Sequence, residues 1–355
     1  MAEGPGSAYR RAGVLRRHRL LTVLVAVAVL ALASVVAYGL YLNSQLGDIG
    51  RFESRLDPGQ RAPEPTGDAA EAMNVLLLGT DRGGQGRTIE AELADGEWTT
   101  GAFRSDTLMI AHIPAERDEA FLVSIPRDTY VRIPGPAERQ KINAAFALGG
   151  PDLTVRTVEE LTGVYIDHVA MIDWEGFKDL THAIGGVPVT IAETFTDPHN
   201  DITWKAGTHV LEGARALQYV RTRYGLEQGD FDRIDRQQNF LRAVLHKASS
   251  TGTLANPIKL NNLLQAVVQN TTVDSGWETG EIRRLALNLR GLGDRDVHYL
   301  TVPTRGTADV DGVGSVVLLR KREAEALWES LRADDVQGYL DRYGGDTLPE
   351  SGRVR

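Results

Sequence analysis

One stretch near the middle of the chain carries side chains suited to binding phosphate. Residues 219–238, with the sequence YVRTRYGLEQGDFDRIDRQQ, contain Arg221, Arg223, Arg233, Arg236 and Gln237. Planar guanidinium groups donate paired hydrogen bonds that match phosphate oxygens. The stretch therefore predicts a phosphate-binding surface, and the alternative is a solvated helix held by salt bridges.

Secondary structure decides how these side chains are arranged. We expect residues 219–223 to be extended, so that their two arginines share one face, because side chains alternate along a strand. A helix over residues 232–249 would place Arg233 and Gln237 one turn apart. Asp230 is expected at the edge of this donor-rich surface, and the direction of Arg236 is left open.

Polar side chains also stand near the ends of apolar runs that predict buried strands. These side chains are Asp81, Arg104, Asp106, Arg127 and Lys141. Ligands of open α/β sheets gather at strand ends. Two carboxylates among several arginines suggest Mg²⁺ bound with a phosphorylated ligand, since Mg²⁺ takes one or two carboxylates and shares phosphate oxygens. The alternatives are a turn or helix cap for Asp81 and a salt bridge to Arg104 for Asp106.

Composition excludes several other kinds of chemistry. The 355-residue chain has no cysteine, which rules out thiol catalysis, disulfides and cysteine-ligated zinc. Its net charge of −9 disfavours nucleic acid as a partner, because no basic domain is present. The sequence lacks a Walker loop, a G-x-S-x-G elbow and an H-E-x-x-H motif. Among the scattered histidines, His168 and His298 are interpreted as hydrogen-bonded structural residues.

The N-terminal region predicts a membrane anchor. Residues 20–42 are 23 residues without a charge, and a bilayer-spanning helix needs about 20. Five arginines precede this run within residues 1–19, so the positive-inside rule places the N-terminus in the cytoplasm and the body outside. A cleaved signal peptide is the alternative, but the apolar run is longer than the apolar region of a signal peptide needs to be.

The rest of the chain predicts one α/β or α+β body. Residues 43–72 are expected to form an extracytoplasmic linker, residues 73–335 a catalytic domain, and residues 336–355 a loose C-terminal tail. Strands are expected at 74–79, 107–113, 120–125, 168–172, 187–191, 297–302 and 316–319. Helices are expected at 144–148, in a following segment capped by Asp152, at 174–183, 211–217 and 232–249, twice within 256–292, and at 324–331.

Several segments, in order, resemble the LytR-CpsA-Psr family of membrane-anchored bacterial enzymes of cell-envelope assembly. The matching segments are LLLGTD (76–81), RSDT (104–107), SIPRDTYV (124–131), KINAAFALGG (141–150), GGVPV (185–189), LEGARALQYVRTR (211–223) and GDFDRIDRQQ (229–238). They cover residues 73 to about 250 in the order that is typical of the family. The resemblance implies an α/β fold, an α-β-α sandwich with a mixed central sheet, preceded by one N-terminal transmembrane helix.

The resemblance also implies roles for individual residues. Asp81 and Asp106 would hold Mg²⁺ against a pyrophosphate. The implied catalytic residues are Arg127, Arg221, Asp230 and Arg233, and the implied substrate-binding residues are Arg104, Lys141, Arg223 and Gln237. Many members carry an arginine two residues after the first aspartate, where this chain has Gly83. Arg82 and Arg87 are the candidates to replace that arginine.

The activity implied by the resemblance is a Mg²⁺-dependent phosphotransferase in the bacterial cell membrane. The donor would be a glycopolymer on a polyprenyl-(pyro)phosphate carrier, and the acceptor a hydroxyl of peptidoglycan. A polyprenyl-pyrophosphate hydrolase is the first alternative, because the same residues would serve it. A non-catalytic envelope regulator that binds prenyl phosphate is the second. The family implies an apolar groove for the prenyl chain, whose lining the sequence does not assign.

Overall fold

The computed structural model describes residues 44–81, 89–94, 98–135, 139–222, 230–250, 252, 256–289, 291–293, 296–344, 348 and 354. The chain divides into two units, Met1–Gly47 and Asp48–Arg355. Residues 44–47 are the described part of the first unit. No helix of the described residues is long and apolar enough to cross a bilayer. The predicted basic segment and anchor, residues 1–19 and 20–42, lie outside them.

The described part of the second unit contains both strands and helices. The strands are β1 (Gly50–Phe52), β2 (Met73–Thr80), β3 (Ser105–Ile113), β4 (Ala120–Ile125), β5 (Tyr130–Arg132), β6 (Arg139–Lys141), β7 (His168–Asp173), β8 (Val187–Ile191), β9 (Phe195–Asp197), β10 (Ile202–Trp204), β11 (Gly207–Leu211), β12 (Thr271–Asp274), β13 (Val297–Thr301), β14 (Thr304–Val310) and β15 (Gly314–Leu319). The helices are α1 (Ile89–Ala94), α2 (Asn143–Thr162), α3 (Trp174–Ala183), α4 (Gly213–Arg221), α5 (Asp230–Ser249), α6 (Pro257–Asn270), α7 (Thr279–Leu289), α8 (Lys321–Arg332) and α9 (Val336–Tyr343).

A mixed sheet of seven strands forms the centre, in the order β1-β12-β7-β2-β3-β4-β13. Strand β2 pairs antiparallel with β3, in the register Leu76↔Ile110, and parallel with β7, in the register Leu77↔Ala170. Strands β3 and β4 form an antiparallel pair. The predicted mixed central sheet is therefore confirmed.

The two faces of this sheet have different environments. Leu76 and Leu78 point into a dry core formed with α2, α8 and α9, which contribute Phe146, Leu327 and Tyr339 among others. Leu77 points to the opposite face, because side chains alternate along β2. That face lies beneath α3, α4 and α5 and borders an apolar cavity rather than a filled core.

A second apolar cluster lies among β8–β11, α4 and α5. Its buried members include Val187, Trp204, Tyr219 and Phe240. Strand β8 pairs with β11, and β9 pairs with β10, so two short hairpins precede α4. This cluster joins the hairpins to the helices that carry Arg221 and Arg233.

The expectation that residues 219–223 are extended is wrong. The chain is helical through Arg221, and Arg223 lies outside the described residues. Ala216, Tyr219 and Val220 are buried, at intervals of three and four residues, which is the helical period. Tyrosine, valine and threonine favour strands, but burial of this apolar stripe against the second cluster decides the outcome.

Two of the expected domain boundaries also differ from the structure. Within residues 43–72, β1 pairs parallel with β12 at the edge of the central sheet, and Phe52 is buried in the core. Within the expected tail, α9 buries Val336 and Tyr339 in the same core. The folded body therefore begins before residue 73 and extends past residue 335.

The predicted stop after residue 148 is confirmed as a kink within α2, where Gly149 has φ −152° and Gly150 has φ 65° and two helical segments meet. Asp152 does not cap a new helix but accepts hydrogen bonds from the Ser54 hydroxyl and the Arg55 backbone N–H, at 3.0 and 2.8 Å. The predicted helices within 256–292 are present, with the unexpected strand β12 between them.

Candidate active site

Asp81 lies at the end of β2 and is held by the backbone of Arg104. Its Oδ1 accepts the Arg104 N–H, and its own N–H donates to the Arg104 carbonyl at 3.0 Å. Burial raises the pKa of the Asp81 carboxyl above its usual value, and the negative charge of Asp106 raises it further, against the Arg104 hydrogen bond. The two predicted metal carboxylates are therefore neighbours that repel one another.

A chain of alternating charges continues from Asp106. Arg127 Nη1 donates to Asp106 Oδ1 at 2.5 Å, and Arg127 Nε lies 3.5 Å from Asp128 Oδ2. Asp128 Oδ1 lies 3.4 Å from the Lys141 ammonium. These side chains come from β3, from the turn after β4 and from β6, so the ion pairs link three elements at the same end of the sheet. The salt bridge predicted for Asp106 thus involves Arg127.

Arg221 enters the site from the last residue of α4. Its guanidinium carbon lies 3.6 Å from the ring centroid of Trp174, the first residue of α3. The Asp173 side chain caps α3 by accepting the Gly176 N–H at 2.8 Å, which fixes the start of the helix. Trp174 therefore supports a cation at the edge of the site.

Helix α5 contributes the remaining predicted donors. Arg233 is 4% exposed, and Gln237 accepts from the Thr107 hydroxyl and donates to the Val220 carbonyl, each at 3.4 Å. Arg236 is wholly buried, donates to the Thr222 carbonyl, and lies over the Phe195 ring, so it does not reach the ligand-binding surface. Burial lowers the pKa of Arg236 to about 10.

These residues surround one polar cleft of about 660 Å³. The predicted site residues on its wall are Asp81, Arg104, Asp106, Arg127, Lys141, Arg221, Arg233 and Gln237. Arg223 and the Asp230 side chain lie outside what the structure describes, although Asp230 is the first residue of α5. Residues that are far apart in the chain thus meet in one cleft, which we call the polar cleft.

Sequence reasoning missed several side chains of the polar cleft. They are Asp128, Gln140, Asn143, Trp174, His199, Asn200 and Gln218. Asp128 is next to Arg127, so the strand-end argument that found the arginine applied equally to it. His199 and Asn200 lie between β9 and β10, in a turn that carries no periodic signal.

An apolar cavity of about 300 Å³ adjoins the polar cleft. Its lining includes Leu77, Met109, Ala170, Phe177, Leu217 and Phe240. Four residues line both spaces, namely Asp106, Trp174, Arg221 and Gln237. The two spaces therefore meet where the charged side chains are concentrated, and a ligand with a charged group and an apolar tail fits across the junction.

The fold and this site define a class of α/β protein with a polar, cation-rich cleft beside an apolar cavity. The chain belongs to the LytR_cpsA_psr family, whose model matches residues 47–333. This match includes β1, in agreement with the early start of the folded body.

Relatives with similar sequences and structures are found in several bacteria. The probable cell wall biosynthesis protein LcpB of Corynebacterium glutamicum is 37% identical over 331 residues, which cover 93% of this chain and 75% of LcpB. TagU of Halalkalibacterium halodurans, a polyisoprenyl-teichoic acid–peptidoglycan teichoic acid transferase, is 31% identical over 295 residues, or 79% of this chain and 91% of TagU. The solved structure of TagT bound to LIIa-WTA is 26% identical, with a TM-score of 0.58 and coverage of 79% of this chain and 98% of TagT.

Proposed function

We propose that the protein transfers a glycopolymer from a polyprenyl-pyrophosphate carrier to a hydroxyl of peptidoglycan. The observation that carries this proposal is the junction of the polar cleft with the apolar cavity at Asp106, Trp174, Arg221 and Gln237. A polyprenyl-pyrophosphate glycan has a doubly charged centre between an apolar chain and a polar glycan. The names of TagU, as a transferase, and of LcpB, as a cell wall biosynthesis protein, agree with this substrate class.

The prenyl chain of the donor would lie in the apolar cavity. The cavity walls come from two sides, with Met109 and Ala170 on the sheet and Phe177, Leu217 and Phe240 on helices α3, α4 and α5. Burying apolar surface there contributes about 25 cal/mol per Å². This binding energy would hold the donor while its glycan extends from the polar cleft toward solvent.

Mg²⁺ is the metal that we propose for the site, held by Asp81 and Asp106. The donor set fits, because Asp106 is close enough to raise the pKa of Asp81, and Mg²⁺ binds through one or two carboxylates plus phosphate oxygens. The described residues contain no cluster of three or more metal-binding side chains. Mg²⁺ usually keeps several water ligands, so two carboxylates can hold it together with phosphate oxygens. When bound, Mg²⁺ would neutralise charge on the pyrophosphate.

The chain's own cations would stabilise the charge that develops during transfer. Phosphoryl transfer depends mainly on positioning and on electrostatic stabilisation of the phosphate oxygens. Arg221 is fixed by Trp174, and Arg127 is fixed by Asp106 and Asp128, so both are positioned before the donor binds. Such prepositioned donors act without reorganisation at the moment of reaction. Arg233 and Lys141 add positive charge to the same cleft.

We also propose that the body acts outside the cell membrane, anchored by residues 20–42. This proposal rests on the uncharged run of 23 residues and the arginines before it. Anchoring would keep the cleft near the leaflet in which a prenyl-linked donor resides. A carbonate wash of bacterial membranes tests it, since an anchored protein stays in the membrane pellet and a cleaved one does not.

The reaction products test the proposed function. The purified protein is incubated with a prenyl-pyrophosphate glycan, Mg²⁺ and peptidoglycan fragments, and the products are identified by mass spectrometry. A phosphodiester between glycan and peptidoglycan supports transfer, whereas free glycan phosphate alone supports hydrolysis. Asp106→Ala is expected to abolish turnover and to weaken Mg²⁺ binding measured by calorimetry. Full turnover in this variant would show that Asp106 is not part of the active site.

A further inference from the structure

The hairpin of β9 and β10 presents a histidine to the polar cleft. Its turn carries His199 and Asn200, and both line the cleft together with Gln218 and Arg221. His199 is an imidazole among carboxylates, amides and cations in this lining. Histidine is the side chain whose ordinary pKa lies in the physiological range, which suits it to accept a proton near neutral pH.

A buried aspartate fixes the conformation of this turn. Asp197 is wholly buried, and its Oδ1 accepts the backbone N–H groups of His199 and Asn200 at 3.0 and 3.3 Å. Its Oδ2 accepts the Asn200 side-chain amide at 2.7 Å. Burial opposes ionisation, but these hydrogen bonds outweigh it and hold the pKa of Asp197 below its usual range. Asp197 therefore holds the backbone at His199 in place.

The base of the hairpin is packed on the two helices that supply the arginines. Trp204 of β10 makes an edge-to-face contact with Tyr219 of α4, with 5.2 Å between ring centroids. Phe195 of β9 lies 5.4 Å from the guanidinium carbon of Arg236 on α5. Because α4 carries Arg221 and α5 carries Arg233, the position of His199 is tied to both cations.

The described carboxylates of the polar cleft are already engaged with cations or assigned to the metal. Asp106 is paired with Arg127, Asp128 lies between Arg127 and Lys141, and Asp81 is assigned above to Mg²⁺. We infer that His199 is the general base for the acceptor hydroxyl and that Asp197 is its positioning residue. This inference rests on the proposed function and adds a residue to it.

During transfer, one proton and the phosphoryl group that carries the glycan change partners. The acceptor hydroxyl gives its proton to a ring nitrogen of His199 while its oxygen forms a bond to the phosphorus that carries the glycan. The bond from that phosphorus to the bridging pyrophosphate oxygen breaks, and its electron pair stays with the departing polyprenyl phosphate. Asp197 lies beneath His199, and the charged groups that share the cleft with it are Asp81, Arg104, Asp106, Arg127, Asp128, Lys141, Arg221 and Arg233.

Transfer kinetics of His199→Gln test the inference, because glutamine keeps a polar side chain but cannot take the proton. We expect kcat to fall by about 10²–10⁴-fold, with KM for the lipid donor little changed. The decline of wild-type kcat/KM toward acid pH should be absent from the variant. Asp197→Asn should lower kcat but keep the acid-side decline. His182→Gln is the matched control, since His182 is 80% exposed and lies outside the cleft lining.

The possible results distinguish a failure of the inference from a failure of the proposed function. Circular dichroism and the melting temperature first establish that each variant is folded. A wild-type protein that forms no phosphodiester contradicts the proposed function, and the inference falls with it. An active wild-type protein with a His199→Gln variant within twofold of it overturns the inference alone. A slower variant that keeps the wild-type pH profile also overturns it, because His199 would then only position the substrate.

Discussion

The guanidinium of Arg221 lies over the indole ring of Trp174, with its carbon 3.6 Å from the ring centroid, where the polar cleft meets the apolar cavity. A cation over an aromatic face gains about 0.5–2 kcal/mol. Arg221 ends α4 and Trp174 begins α3, so this contact joins the two helices at the point where the charged centre of the donor would lie. The indole is thus both part of the apolar wall and the support of a cation.

Arg221→Ala should reduce kcat/KM for transfer by about 10²–10³-fold, the usual effect of removing a prepositioned donor from a developing negative charge. Arg215→Ala is the matched control. Arg215 is also on α4, and its guanidinium carbon lies 4.2 Å from the centroid of the Trp204 ring, but it is outside the cleft lining. Its variant should keep kcat/KM within about threefold. Equal losses in both variants would mean that the effect is structural.

Ala170→Phe should obstruct the apolar cavity. Ala170 is half-buried in β7 and lines the cavity floor, so a phenyl group there would occupy space proposed for the prenyl chain. KM for a long-chain donor should rise about tenfold, equivalent to roughly 1.4 kcal/mol. KM for a short-chain donor should stay near the wild-type value, and this comparison is the internal control. An equal rise for both donors would place the prenyl chain elsewhere.

Gln238→Ala should lower the stability of the fold and leave the chemical step unchanged. The buried Gln238 amide donates to the Ser124 hydroxyl and the Leu300 carbonyl, both at 2.8 Å, which ties α5 to β4 and β13. Loss of one buried partner costs about 1–3 kcal/mol, measurable from urea unfolding. Gln269→Ala, at an exposed position of α6, should change the free energy of unfolding by less than about 0.5 kcal/mol. Equal stability of the two variants would contradict this role.

Ionisation of Asp334 should make the free energy of unfolding depend on pH in the acid range. Burial opposes its ionisation, but hydrogen bonds from the His112 ring and the Ala115 N–H hold the pKa of Asp334 below its usual range. Its stabilising effect is therefore present above the unfolded pKa, about 3.9, and is lost as pH falls through the folded value.

Asp334→Asn is the variant that tests this dependence, since asparagine tolerates the left-handed φ of 55° at this position. The variant should unfold at lower urea than the wild type at pH 7, and the difference should shrink below pH of about 4. A difference that is constant between pH 7 and pH 3 would show that ionisation of Asp334 does not matter.

The cleft could be predicted from the sequence because its residues flank apolar strands. Asp81, Asp106 and Arg127 each stand beside a run of buried side chains, and adjacent strands bring such ends together. Strands β2, β3 and β4 were predicted from the same apolar runs. Local sequence pattern therefore contained most of the information about this wall of the site.

The elements that were missed depend on tertiary packing. Strands β1 and β12 are short and pair with each other at the sheet edge, so neither has a pattern of its own. Arg221 follows residues that favour strands, yet burial at helical spacing makes its segment α4. His199 reaches the cleft only because the packing of Trp204 and Phe195 places its hairpin there.

The central claim is that one donor occupies the polar cleft and the apolar cavity together. A prenyl pyrophosphate with a photoreactive group on its chain tests it directly, by irradiation and peptide mapping. We expect crosslinks in peptides that contain Ala170, Phe177 and Phe240, and their loss in Arg221→Ala at a donor concentration near the wild-type Kd. Crosslinks elsewhere on the body, or cavity crosslinks that persist in Arg221→Ala, would contradict a single site.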